Sequence, residues 1–241
     1  MVKKQLVKYH PDTRFLTDYA AGSLPESQAM CVAAHLHYCP SCRSHIRDLT
    51  QVGTALFMDQ PPAEVSAGSF EQVMAKLAQT GKSTVTETAA AANESPASDA
   101  KQEKLDTETA ELPRAIRKMT RGSLENLNWR NLGKTFRYST IRTGDTRRES
   151  SLLEIKAGGE IPRHHHGGDE ITVVLKGSFS DQEDRYHVGD YIVRTRGEAH
   201  TPVASQDEDC LCLTTLDSPI VVNNWFYRML MPFLKKPTSA H

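Results

Sequence analysis

Within eight residues, His35-Leu36-His37-Tyr38-Cys39-Pro40-Ser41-Cys42, the chain places an imidazole and two thiols at H-x3-C-x2-C spacing. The stretch constrains the fold strongly, because it asks two elements to meet at one point. Residues four apart share a helix face, so His35 and Cys39 point the same way. Pro40 cannot continue that helix, and the turn through Ser41 swings Cys42 back toward Cys39. Two thiolates and one imidazole at a helix-turn-helix corner suit tetrahedral zinc, which needs a fourth ligand. His10, 25 residues upstream and just before the first predicted helix, is the first choice. Cys31 is the alternative, but its two-turn separation from Cys39 makes a tight tetrahedron awkward. Without a metal, the same residues reduce to a buried cysteine pair beside a surface histidine. His37 and His45 read as helix-surface residues.

The bulk properties narrow the function classes. The chain has 241 residues, enough for one large or two small domains. Its 29 Lys and Arg nearly balance 30 Asp and Glu, so no basic field recommends nucleic acid as a direct partner. Mean hydropathy is −0.50, and no apolar run reaches the 18 or so residues of a membrane span. The opening Met-Val-Lys-Lys-Gln lacks the apolar core of a signal peptide. Five cysteines, two of them in C-x2-C, indicate metal or redox chemistry in a reducing compartment. A cytoplasmic location is therefore expected.

The first third reads as helical. Phe15, Leu16, Tyr19 and Ala20 form a short amphipathic pattern that Gly22 stops. Ser23-Leu24-Pro25-Glu26 starts a second helix that runs to about Tyr38. A third begins near Ser41, with Cys42, Ile46, Leu49, Val52 and Leu56 at helical spacing, and Pro61-Pro62 breaks it. Ser69 with Gln72 is a capping box for a fourth helix, whose stripe is Phe70, Val73, Met74 and Leu77. About 80 residues give a thin core, which a structural metal would reinforce. The Pro-Pro break allows the last helix to splay and expose Phe57, Met58, Phe70, Val73, Met74 and Leu77 to a partner. The alternative is that these residues pack inside the domain.

From Lys82 to Glu111 the chain is rich in Thr, Ser, Ala, Glu and Lys and nearly free of large aliphatics. It reads as a flexible tether that lets the two ends move separately. The expected division is a helical domain over 1–81, a linker over 82–112, a β-domain over 113–218 and a tail over 219–241. Trp225, Phe226, Met229 and Leu230 give the tail the spacing of a short helix.

After Pro113 the pattern becomes short alternating strands divided by glycine turns, which marks an all-β sandwich or barrel. Gly158-x5-His164-x-His166-x3-Glu170-x6-Gly177 is followed by Gly189-x5-Thr195-x-Gly197-x2-His200. Residues two apart on a strand share a face, so His164 and His166 both point inward and His165 outward. With Glu170 and His200 from neighbouring strands they form a second, more open metal site. Cys210 and Cys212 share a strand face. They are redox-active if that face is the interior beside the metal, and packing residues otherwise.

These motifs carry three resemblances. His10 with His35-x3-Cys39-x2-Cys42 in a helical front end resembles the zinc-binding anti-sigma domains, which block group IV (ECF) sigma factors from core polymerase. The two histidine motifs over about 150 to 215 resemble the cupins, with Thr195 in place of the usual Pro and Ala204 in place of a frequent Asn. Neither departure touches a ligand position. The two domains joined by a linker resemble the ChrR-type anti-sigma factors. That resemblance implies structural zinc on His10, His35, Cys39 and Cys42, and a second divalent metal, zinc by preference, on His164, His166, Glu170 and His200. It implies an ECF sigma factor as partner, release in response to singlet oxygen or organic hydroperoxide, and no enzymatic activity. Cupins often pair, so a homodimer through the barrel is a further expectation. The rival reading is a cupin dioxygenase or isomerase with an accessory zinc module.

Overall fold

The computed structural model describes residues 6–80, 111–120, 123–217 and 220–222. Four helices occupy the front: α1 (Thr13–Ala20), α2 (Glu26–Tyr38), α3 (Pro40–Met58) and α4 (Ser69–Thr80). Asp12 caps α1 by accepting a hydrogen bond from the Phe15 amide at 2.9 Å. Pro25 stands at the N-cap of α2, with Glu26 next to the positive end of the helix. Cys39 ends α2 in an extended conformation and serves as N-cap of α3, with Pro40 in its first turn. That one residue makes the corner.

The helix α2 is the centre of the molecule. It buries Ser27, Met30, Cys31, Val32, Ala34 and His35. Ser27, Met30, Cys31, Ala34 and His35 repeat at helical spacing, and that face lies against strands of the β-domain. α3 is the opposite case: Cys42 is its one buried residue. Its second half and α4 leave large apolar side chains in solvent.

The expectation of four helices needs correction. A fifth, α5 (Arg114–Met119), follows Pro113 and packs on α2. Leu112 and Ile116 are buried beside it. Residues 82–110 of the expected linker lie outside the described residues.

Among the described residues the β-domain has twelve strands: β1 (Arg130–Leu132), β2 (Phe136–Ile141), β3 (Glu149–Ile155), β4 (His164–His166), β5 (Glu170–Lys176), β6 (Ser178–Ser180), β7 (Arg185–His187), β8 (Tyr191–Arg194), β9 (Ala199–His200), β10 (Val203–Ala204), β11 (Cys210–Leu216) and β12 (Ile220–Val222). They form a six-stranded sheet in the order β1-β2-β3-β11-β5-β8, with two three-stranded sheets, β10-β6-β7 and β12-β4-β9. The expected closed barrel is therefore a set of separate sheets among the described residues. Strands β4, β6, β7, β9 and β10 are two or three residues long, too short to carry a continuous ladder between the sheets. At the start of the expected tail, Ile220–Val222 is a strand paired antiparallel with β4. Trp225, Phe226, Met229 and Leu230 lie outside the described residues.

Antiparallel sheets usually keep one wet face, but β5 and β11 are buried on both. Ile171, Val173, Leu175, Leu211 and Leu213 share a core with Met30, Cys31, Val32 and Ala34 of α2. The opposite face contributes Val174, Cys210 and Cys212 to an inner core with Ile155, Phe179 and Tyr186. Helices and sheet thus share one apolar core.

Candidate metal centres

The front cluster forms where α2 ends. His35 lies in the last turn of α2, Cys39 at the corner, Cys42 in the first turn of α3, and His10 on the extended segment before Asp12. One donor atom from each lies within 4.8 Å of all the others. The His10 Nδ1 is 3.4 Å from the Cys39 Sγ and 3.5 Å from the Cys42 Sγ. Tetrahedral zinc, with bonds of about 2.3 Å to sulfur and about 2.05 Å to nitrogen, sets these atoms about 3.6 Å apart. The Cys42 amide donates to the Cys39 Sγ at 3.4 Å.

The His35 ring is oriented by its surroundings. Its Nδ1 stands 2.7 Å from the Gly189 carbonyl, an acceptor, so Nδ1 carries the proton. The buried Nε2 then offers a lone pair and has no protein partner. Burial lowers the His35 pKa to about 4, keeping the ring neutral. Burial also pushes the Cys42 thiol up, and Cys39 adds to the shift. A buried dication meets both conditions, because it stabilises thiolate and takes neutral imidazole. Cys31 stands apart from this cluster, fully buried in the core.

The rear cluster is built on strands alone. His164 and His166 are buried on β4, while His165 between them is half-buried. Pairing of β4 with β9 sets His164 opposite His200. The His200 Nε2 lies 3.0 Å from that of His164 and 3.1 Å from that of His166. The Glu170 carboxylate is 3.0 Å from the His166 Nε2 and 3.8 Å from that of His200. The three imidazoles meet as a compact group, which Glu170 joins from one side. Nitrogens about 2.1 Å from one ion stand about 3.0 Å apart at right angles and about 3.4 Å apart at tetrahedral angles. The observed separations match the tighter arrangement.

The surroundings fit a cation here too. The His164 Nδ1 faces the Pro162 carbonyl at 2.9 Å, which directs its Nε2 lone pair inward. Burial, then His200, lowers the His164 pKa to about 4. Burial works to raise Glu170, yet its hydrogen bond to His166 and the charges of the three rings hold it below its ordinary value. Behind His200, the Asp181 carboxylate approaches Nδ1 to 3.6 Å and is held by Arg194 at 2.7 Å. The sequence offered no signal for that pair, which only the turn before β7 and the end of β8 bring together. Cys210 and Cys212 do face the interior, with sulfurs 3.7 Å apart. The hydrogen bond to Cys210, then burial, raises the Cys212 thiol, and the charge of Glu170 adds to it.

Known proteins give the same two-part division. A zinc-finger family model matches residues 13–43, and the model of the ChrR cupin-like domain matches 118–218. The anti-sigma-E factor ChrR of Cereibacter sphaeroides is 32% identical over 229 residues, 95% of this chain and 99% of that protein. The crystal structure of Rhodobacter sphaeroides SigE in complex with the anti-sigma ChrR superposes at a TM-score of 0.68, with 32% identity. The match covers 87% of this chain and 99% of the other. With identity at that level along nearly the full length of both proteins, the chain belongs to the ChrR family of anti-sigma factors.

Proposed function

We propose that the chain holds an ECF sigma factor through its front helices and releases it when an oxidant alters the rear site. The observation that carries this reading is the apolar face left open by α3 and α4. Leu56, Phe57 and Met58 end α3 at 64–76% exposure, and Phe70, Val73, Met74 and Leu77 line α4 at 49–71%. Seven large apolar side chains on two consecutive helices are more than scattered surface hydrophobics and mark a partner surface. The ChrR relative was solved bound to a sigma factor, which supports the same partner class here. Since a sigma factor acts on polymerase, the cytoplasm is the compartment we assign; no described helix is long and apolar enough to cross a membrane.

In this reading His10, His35, Cys39 and Cys42 hold structural zinc, which sets the angle between α2 and α3 and so aims the open face. His164, His166, Glu170 and His200 hold a second divalent ion, zinc by our assignment, as part of the sensor. Singlet oxygen or an organic hydroperoxide is the signal we assign. The groups it meets are the ligands themselves or Cys210 and Cys212. For a hydroperoxide, two thiols would yield a disulfide while the peroxide leaves as alcohol and water.

The test is co-expression of the full chain with the sigma factor encoded beside it, followed by co-purification and metal analysis. Cys39→Ala or Cys42→Ala is expected to lose the complex, and His164→Ala to keep it. Full capture by the cysteine variants would sink the assignment of the clamp to the front ion. Oxygen uptake on a small organic substrate with iron in the rear site would favour the enzyme.

A further inference from the structure

The β-domain reaches into the front cluster at one turn. Gly189 and Asp190, in the turn between β7 and β8, and Tyr191, the first residue of β8, grip α2 and the segment before α1. The Gly189 carbonyl accepts a hydrogen bond from the His35 Nδ1 at 2.7 Å. One Asp190 oxygen accepts the amides of Lys8 and Tyr9 at 2.7 and 3.0 Å, while the other accepts the His187 amide at 2.8 Å within its own hairpin. The Tyr191 amide donates to the Tyr9 carbonyl at 3.0 Å. Tyr9 immediately precedes His10. The turn therefore orients one candidate ligand directly and immobilises the backbone that carries another.

The approach is too close for any side chain at 189. Gly189 has φ +93, and a Cβ there would lie 2.7 Å from the Tyr38 Cβ and 2.8 Å from Val7. A second contact steadies the same edge: Asp184 accepts from both the Lys8 ammonium and the Tyr9 hydroxyl. Asp190 is 1% exposed, so its carboxylate is committed to these backbone amides rather than to water.

We propose that the β-domain completes the front metal centre. Gly189 and Asp190 are positioning residues for His35 and His10, and ion binding at the front is thermodynamically linked to docking of the β-domain on α2. The inference rests on the assignment of the front cluster as a metal site. Groups that orient metal-bound imidazoles typically change affinity about 10- to 100-fold when removed. Linkage is reciprocal, so removing the front ion loosens the docked turn by the same factor. Damage in the β-domain that disturbs the turn would then weaken the front ion's hold without touching its ligands.

The experiment titrates cobalt(II) into metal-free full-length protein and follows the thiolate-to-cobalt charge-transfer band. Zinc competition then gives relative affinities. Gly189→Ala and Asp190→Ala are expected to weaken binding about 10-fold or more, with one thiolate-bound cobalt still taken up per chain. Because either change could disturb the hairpin, a Lys8→Ala, Tyr9→Phe double variant serves as a second probe. It alters the front segment alone and is expected to weaken binding a few-fold. Amide exchange at Tyr9 and Tyr191 in wild-type protein is expected to quicken when the metal is removed. Unchanged affinity in all variants, or unchanged exchange, overturns the linkage alone. Wild-type protein with no thiolate-bound cobalt overturns the metal assignment and the linkage with it.

Discussion

The two clusters solve one problem in different ways. The front cluster gathers two sulfurs and two imidazoles from an extended segment and two helices, and borrows an acceptor from the β-domain to orient His35. The rear cluster gathers three imidazoles from strands β4 and β9, with the Glu170 carboxylate of β5 3.0 Å from the His166 Nε2. The front depends on the relative placement of separate elements; the rear is set by strand register, such as His164 opposite His200. An ion at the front would therefore act as a structural link between elements. An ion at the rear would sit in a frame that local pairing already holds.

That contrast can be broken by substitution. The largest effect is expected for Cys39→Ala. Structural zinc contributes about 10–16 kcal/mol of apparent binding free energy in small domains, so loss of a thiolate should cost several kcal/mol. Metal content and thermal melting report it; a front site that keeps its full complement of zinc would break the comparison. Next is Phe57→Asp combined with Met74→Asp, which places charge on the open face without touching either cluster. Sigma capture is expected to weaken at least about 100-fold, or about 2.7 kcal/mol, with the melting temperature unchanged. Capture at wild-type strength would show that the partner sits elsewhere.

His164→Ala is expected to lose the rear ion and keep the front one. A loss of about 2 kcal/mol would lower melting by roughly 4–8 °C, with sigma capture retained. Loss of both ions from this variant would show that the clusters are not independent frames. The smallest effect concerns the docking of α2 away from the metal. Ser27 donates to Asp145 at 2.5 Å from a fully buried position. Ser27→Ala is expected to cost about 1 kcal/mol, a shift of roughly 2–4 °C, with front cobalt affinity unchanged. A matching loss of affinity would extend the linkage over the entire face of α2.

Much of both clusters was legible because their members lie close in sequence. The i, i+4 and i, i+2 spacings of His35–Cys39 and His164–His166 are local geometry, and so are the helix corner at Pro40 and the glycine turns around the strands. Sequence spacing left Cys31 open beside His10, and the fold groups His10 with the other three. The contributions of Gly189 and Asp181 were not legible. Each acts through a partner far along the chain, and neither departs from ordinary turn chemistry when read alone. The pairing of β12 with β4 was not legible either, because it joins residues more than 50 positions apart that local spacing cannot relate.

The sequence by itself determined the types of the candidate ligands, their local spacing and the division into helical front and stranded rear. Those properties depend on periods of 3.6 and 2 residues and on the chemistry of single side chains. The tertiary structure decided that α2 lies on β5 and β11, that both faces of those strands are buried, and that the turn at Gly189 meets His35. The physical reason is that apolar burial has no address in the sequence: a hydrophobic stripe states that it must be covered, and only the folded chain shows by what.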